Sequence, residues 1–289
     1  MDHRLAALQR LLELERLEVN IFRGESRDIG SPQVYGGQVL GQALKAAYAT
    51  VEPERVAHSL HAYFLRRGDF NAPIVYFVDR SRDGHSFTSR RVTAIQHGEQ
   101  IFNLSASFQL PQEGFAHQVS MPEVPLPETL PADAPFGAES MAHFPERLRQ
   151  KYLRDRPFEF RVVPAQYSAS NGGAPRQLFW FRTVDRLPDD DVLHRCLLAY
   201  VADFHLLSTA LLPHRDVAAR ADMVVASIDH AMWFHWPPRV DDWLLYATDS
   251  PSASGARGFA RGSIYSRGGQ LVASTAQEGL VRLQPAAGG

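Results

Sequence analysis

Between Gly36 and Val51 the run GGQVLGQALKAAYATV sets small residues (Gly37, Gly41, Ala43) among strong helix formers, which predicts a helix packed closely on other backbone. Upstream, Leu5, Leu8, Leu11, Leu12 and Leu17 recur at helical spacing with charge between them. After the Gly36 helix the pattern turns strand-like in VAHSLHAYFL, PIVYFV, SFTSRRVTAI and QIFNLSASFQL. Turn chemistry at Arg82-Asp83-Gly84 and His97-Gly98-Glu99 separates them, so one helix followed by an antiparallel meander is predicted. The plan then recurs. FEFRVV and QLFWFRTV read as strands, and Pro188-Asp189-Asp190-Asp191 opens a helix from Val192 to about Leu212, its acids suiting the positive end of the helix dipole. MVVASIDHAMWFHW, WLLYATDS, ARGFARGSIYS and QLVASTAQEGLVRL follow as strands, with a Ser266-Arg267-Gly268-Gly269 turn before the last.

Pro111, Pro122, Pro125, Pro127, Pro131 and Pro135 preclude regular structure between the two halves, and AESMAHFPERLRQKYLRD adds a short helix. The chain divides into an N-terminal unit (1–112), a Pro-rich linker (113–155) and a C-terminal unit (156–289). Tyr76 and Tyr246, Asp79 and Asp249, Arg91 and Arg261, Gly98 and Gly268, Gln100 and Gln270, and Ala106 and Ala276 are each 170 positions apart, without a gap. These agreements point to a duplication. In the second helix Val192, Leu193, Cys196, Leu197, Ala199, Tyr200, Val201, Phe204 and Leu207 leave little solvent face, so a sheet must wrap it. The expected fold class is α+β: two tandem units, each a central helix wrapped by a curved antiparallel β-sheet, which is a double hotdog.

The 289 residues are 45% apolar and 21% charged, ordinary globular values that exclude a disordered or collagen-like chain. Thirty basic against thirty-two acidic side chains leave a formal charge of −2, which provides no field to gather nucleic acid or an anionic membrane. Neither is expected as a partner. No uninterrupted apolar run reaches the roughly 18–20 residues of a membrane span, and no signal-peptide core or terminal sorting sequence is found, so a cytoplasmic protein is expected. The lone Cys196 excludes an internal disulfide, a zinc ribbon and CxxC redox chemistry within one chain.

Asp203 falls on the helical row Cys196, Ala199, Tyr200 and Leu207, which puts a carboxylate in an apolar stripe. Burial raises such a group's pKa and demands hydrogen-bond partners. Position alone leaves two readings, a structural carboxylate that caps a loop or pairs with Arg, and a functional acid. Ser227, Asp229 and Gln277 interrupt apolar or small-residue strands, again as site members or merely as solvated positions. His58 and His61 lie on opposite faces of one strand, as do His230 and His235, and no HExxH or Cys/His cluster occurs, so neither a metal nor a cofactor is expected. Arg90, Arg91, Arg257 and Arg261 are candidates for phosphate contacts or for surface ion pairs. GxSxG is absent, and a thiol on the buried helix stripe is inert, which disfavours covalent catalysis by Ser or Cys196.

The segments IFRGESRD, YGGQVLGQAL and HSLHAYFLRRGD, then LLAYVADF, SIDHAMWFH, WLLYATDSPSASGARGFARG and LVASTAQEG, resemble the acyl-CoA thioesterase II (TesB-type) family over nearly the whole chain. The resemblance implies a double hotdog that hydrolyses fatty acyl-CoA to free fatty acid and coenzyme A, through water held by an Asp, a hydroxyl residue and a Gln, without an acyl-enzyme. By motif these are Asp203, Ser227 and Gln277. The family usually carries Thr at the middle position; Ser keeps the donor and acceptor and loses the methyl that fixes the rotamer. His58 matches a position near the active-site mouth and is expected to contact substrate; for the developing oxyanion, Gly36-Gly37 offers a backbone N–H with open approach, and the start of the second helix is equally eligible. A homo-oligomer, dimer or tetramer, is implied as well. A dehydratase on the same fold and a non-catalytic acyl-CoA binder are the rivals, and the Asp, hydroxyl and Gln motifs together favour the hydrolase.

Overall fold

The computed structural model describes residues 2–31, 33–131, 156–167, 175–214 and 223–283. Helix α1 (His3–Leu12) starts on Asp2, whose carboxylate accepts the Arg4 N–H, and buries Leu5, Leu8, Leu11 and Leu12. A short hairpin, β1 (Glu15–Glu18) and β2 (Ile21–Gly24), precedes α2 (Gly36–Tyr48). The meander is β3 (Val56–Phe64), β4 (Ile74–Asp83), β5 (Phe87–Gln96) and β6 (Glu99–Gln109). The second half runs β7 (Phe158–Val162), β8 (Arg176–Thr183), α3 (Asp191–Ala202), a 3-10 segment (Leu207–His214), β9 (Met223–Ser227), β10 (Asp229–Phe234), β11 (Leu244–Ser254), β12 (Arg257–Ser266) and β13 (Leu271–Leu283).

All of these strands join one antiparallel sheet in the order β1-β2-β4-β5-β6-β3-β10-β13-β12-β11-β8-β7, with β9 also on β13. The halves meet where β3 pairs with β10, and there His61 faces Ala231, residues 170 positions apart. Leu60 faces Met232 and Ala62 faces His230, so a local pseudo-two-fold axis passes through the His61–Ala231 pair. The sheet curves around α2 and α3, which pack on each other through glycine. A Cβ on Gly37 would overlap the Tyr200 carbonyl oxygen, and one on Gly41 would stand 3.0 Å from that of Cys196. The core they share includes Leu40, Leu44, Leu197, Leu198 and Tyr200, and each such side chain contributes about 1.5–3 kcal/mol on burial.

Two expectations need correction. The second helix ends at Ala202, short of Leu212, because Asp203 is its C-cap and His205 takes a left-handed φ of 62°. The stretch Asp191–His214 is also long and apolar enough to span a bilayer by length and composition, but its most apolar 18 residues are 67% buried inside the protein, which accounts for that apolarity. The repeat is not gapless. Gln96 and Glu99 flank a two-residue turn, His97-Gly98, with φ of 50° and 78° as a primed hairpin turn requires. The matching turn, closed by Ser266 and Gln270, holds three residues and puts Gly269 at φ 87°. The offset is therefore 170 through β12 and 171 along β13. Arg90 pairs with Ala106, and Ala260 pairs with Gln277. The structural counterpart of Gly98 is Gly269, and that of Ala106 is Gln277.

Part of the linker lies against the second half. Met121, Val124 and Leu130 pack with Leu178, Trp180, Trp243, Leu245 and Tyr265, and the Trp180 indole donates to the Pro125 carbonyl at 3.0 Å. The expected helix in 138–155 lies outside the described residues.

Candidate active site

The last turn of α3 leaves carbonyls without helical partners, and two phenols take them up. Tyr35 donates to Tyr200 O at 2.9 Å and Tyr246 to Ala202 O at 3.0 Å. This fixes the helix end that carries Asp203. The first turn of α2 comes up against the same carboxylate: a Cβ on Gly36 would stand 2.7 Å from Asp203 Oδ2, and the Gly37 N–H donates to Asp203. Only glycine lets a helix start approach that closely.

Ser227 and Gln277 arrive from the sheet. Gln277 points inward from β13 and is 1% exposed, while Ser227 ends β9. Gln277 Nε2 donates to Asp203 Oδ1 at 2.7 Å and to Ser227 Oγ at 3.0 Å, so one carboxamide ties the three residues together. Asp203 keeps some accessible surface as a residue, yet its carboxylate is enclosed by these neighbours. Desolvation raises its pKa, and hydrogen bonds from Gln277, the Gly37 N–H and Ser227 partly offset the rise. Gln277 Oε1 is buried without a hydrogen-bond partner. The expected desolvated carboxylate is therefore present, with both of its expected polar neighbours.

The corrected repeat identifies the same place in the first half. The C-cap Asp203 corresponds to the C-cap Ala49 of α2. Ser227, facing Gly279, corresponds to Ala57, facing Phe108, and Gln277 to Ala106. Three alanines stand where the second half has a carboxylate, a hydroxyl and a carboxamide. Both halves keep the scaffold, and one keeps the chemistry.

A cavity of about 180 Å³ reaches Ser227 of the cluster and is lined also by Gly36, Val39, Phe64, Phe102, Arg66 and Arg67. A larger concavity of about 480 Å³, lined by Ile21, Phe77 and Arg91 among others, holds no member of the cluster, so its size carries no functional weight. Sequence reasoning missed Phe64 and these two arginines, although RRGD directly after a strand is a usable signal. Gly36 and Gly37 are at the site. His58 is not among the residues around Asp203: its Nε2 meets Ser107 Oγ at 2.8 Å beside the Phe87 ring. Of the arginine candidates, Arg90 is 2% exposed and bound to Thr50 and Asp83, which removes it from phosphate binding. Arg257 pairs with Glu278 and Arg261 with Asp249. Burial pushes the Cys196 thiol up to about 12, so it supplies no thiolate near neutral pH. Among the described residues no three His, Cys, Asp or Glu side chains group as metal ligands.

Comparison with known proteins bears on the chemistry. Residues 23–109 match the family model for the acyl-CoA thioesterase N-terminal domain, and 148–280 match that for acyl-CoA thioesterase. The chain is 44% identical over 283 residues to Acyl-CoA thioesterase 2 of Haemophilus influenzae, covering 98% of this chain and 99% of that protein. The crystal structure of the acyl-CoA thioesterase II TesB2 of Mycobacterium marinum superposes with a TM-score of 0.82 at 45% identity, over 96% of this chain and 98% of that one. A protein of unknown function with a hot dog fold from Alicyclobacillus acidocaldarius shares the fold at a TM-score of 0.74 and 20% identity, over 99% and 100% of the two chains. With its doubled hotdog sheet, the chain belongs to the acyl-CoA thioesterase family of thioester hydrolases.

Proposed function

We propose that the protein hydrolyses fatty acyl-CoA by direct attack of a water molecule that Asp203 activates, with Ser227 and Gln277 orienting it and no covalent acyl-enzyme. The observation that carries this reading is the Asp203–Gln277–Ser227 cluster, whose Ser227 lines a cavity of mixed polar and apolar walls. Asp203 takes one proton from water as the water oxygen bonds to the thioester carbonyl carbon. The tetrahedral intermediate then expels sulfur, and the proton passes from Asp203 to the coenzyme A thiolate. The start of α2 at Gly36 turns its partial positive charge toward the oxyanion. Phe64, Phe102 and Val39 suit an acyl chain, and Arg67 in the same lining suits the phosphates of coenzyme A, beside Arg66, which pairs with Glu99. The reading includes a cytoplasmic homo-oligomer, dimer or tetramer, for which the exposed Tyr63 and Trp233 of the central strands, with Trp236 just beyond β10, offer apolar contact.

Ser227 tests it. Ser227→Thr keeps the hydroxyl and is expected to hold kcat within about threefold, whereas Ser227→Ala loses about 10- to 100-fold as the water is misplaced. Thiol release from a medium-chain acyl-CoA measures both. Equal rates for the two variants would remove the hydroxyl from the mechanism, and acyl-CoA binding without thiol release by the unaltered protein would favour a binding module.

A further inference from the structure

Gln277 performs its role only in one orientation. Turned by half a rotation, its carboxamide would present oxygen to the Asp203 carboxylate and lose that hydrogen bond, and the two ends of an amide are nearly the same shape. Something must distinguish them. Asp203 and Ser227 take up the Nε2 end, and a donor is needed at the Oε1 end, which is buried without a partner.

One side chain is placed to supply it. β9 and β10 are separated by a bulge: Ile228 N–H bonds to Glu278 O, and Ala231 already pairs with Ala276. Ile228, Asp229 and His230 thus stand against only Glu278 and Gln277, one residue in excess, an arrangement that re-aims side chains beside functional sites. Asp229 turns to the chain and accepts the Glu278 N–H at 2.7 Å. His230 turns inward, is 1% exposed, and has no hydrogen-bond partner at either ring nitrogen. Facing residues of neighbouring strands keep their Cβ atoms about 4.5–5.5 Å apart, within reach of an imidazole-to-carboxamide contact made directly or through one water.

The pseudo-two-fold makes the same point independently. His230 corresponds to Leu60, which faces Ala106 in the first half, and the repeat carries that pair onto His230 and Gln277 in the second. The half that lacks the Asp, Ser and Gln also lacks this imidazole, and its Leu60–Ala106 pair is wholly apolar. The polar His230 belongs with the site and is not demanded by the fold.

We propose that His230 is a positioning residue for the hydrolysis: its imidazole N–H holds Gln277 Oε1, so that Nε2 stays on Asp203 and Ser227. The inference rests on the water-attack reading above. Burial depresses the His230 pKa to about 4, which keeps the ring neutral at working pH with one N–H to donate and without a second charge beside Asp203.

His230→Leu restores the residue of the first half and is expected to fold. Its kcat should fall about 10- to 100-fold, because the water is misplaced, with KM changed less than about threefold. The Gln277 hydrogen bond lowers the Asp203 pKa, so its loss moves the acid limb of kcat/KM to higher pH. His230→Gln, which retains a neutral N–H donor, should recover most of kcat and return the limb. His230→Leu with unaltered kcat and an unmoved limb would overturn the proposal, as would a folded His230→Gln that is as inactive as His230→Leu. Should His230→Leu fail to fold, His230→Gln decides alone, since the proposal requires it to remain active. Full activity in Asp203→Asn would sink the water-attack reading itself, whereas an inactive Asp203→Asn beside a fully active His230→Leu sinks only the role of His230.

Discussion

Asp203→Asn is expected to lose about 10²- to 10⁴-fold in kcat, the range that a positioned general base supplies, and to bind acyl-CoA about as well as the unaltered protein. Asn keeps the shape and still offers an oxygen to Gln277 Nε2, now 2.7 Å from Oδ1, and loses the proton acceptor together with one oxygen able to accept from the Gly37 N–H or Ser227. Stability should not fall. Burial raises the Asp203 pKa in the folded state, so its stabilising contribution is present at low pH and is lost as pH rises through that raised value. At neutral pH the ionised group is a burden that Asn relieves, and Tm is expected to hold or increase. The same shift fixes the pH dependence of the reaction. Activity needs the ionised form, so kcat/KM should fall as pH drops through the raised pKa, at a midpoint above the ordinary carboxylate value of 3.8. Thiol release across pH measures this limb, and a residual rate in Asp203→Asn that follows the same limb would assign the base elsewhere.

The site was legible in the sequence because its members are polar residues in otherwise apolar segments. Asp203 in the α3 stripe and Gln277 in β13 violate patterns that are otherwise clean, and motif resemblance then joined residues 74 positions apart. The meander from β3 to β6 was legible for a similar reason, since alternating burial leaves a period of two in the residue types. The hairpin of β1 and β2 left no such trace, because every residue of β1 is exposed. The end of α3 was hidden by Phe204, Leu206 and Leu207, which continue the apolar stripe although His205 has already turned the chain. The register of the repeat failed at a three-residue turn whose extra glycine imitates a conserved spacing. Side-chain orientation lies furthest from the sequence: His58 and His230 both sit in β-strands, yet one bonds Ser107 and the other is buried without a hydrogen-bond partner.

Gly36 and Gly37 should separate stability from activity. In a helix, alanine is favoured over glycine by about 1 kcal/mol, so both substitutions would stabilise α2 if nothing else met the methyl group. At Gly37 the methyl meets the Tyr200 carbonyl oxygen and the Tyr35 ring, and the backbone of a packed helix cannot yield. Overpacking of this kind costs about 1–3 kcal/mol or more, so Gly37→Ala is expected to lower Tm by several degrees, read by thermal melting. At Gly36 the methyl meets the Asp203 Oδ2 position at 2.7 Å and the Phe64 ring at 2.9 Å, both of them side-chain atoms that can move. Gly36→Ala should therefore fold with nearly unaltered Tm and lose about 10²-fold in kcat, because a displacement near 1 Å at a reacting group has that effect. If the loss arises through Asp203, it cannot add to the loss in Asp203→Asn, since both variants disable one group. The double variant should turn over no more slowly than Asp203→Asn alone. Multiplying losses would mean that the Gly36 methyl acts on the substrate and not on the carboxylate.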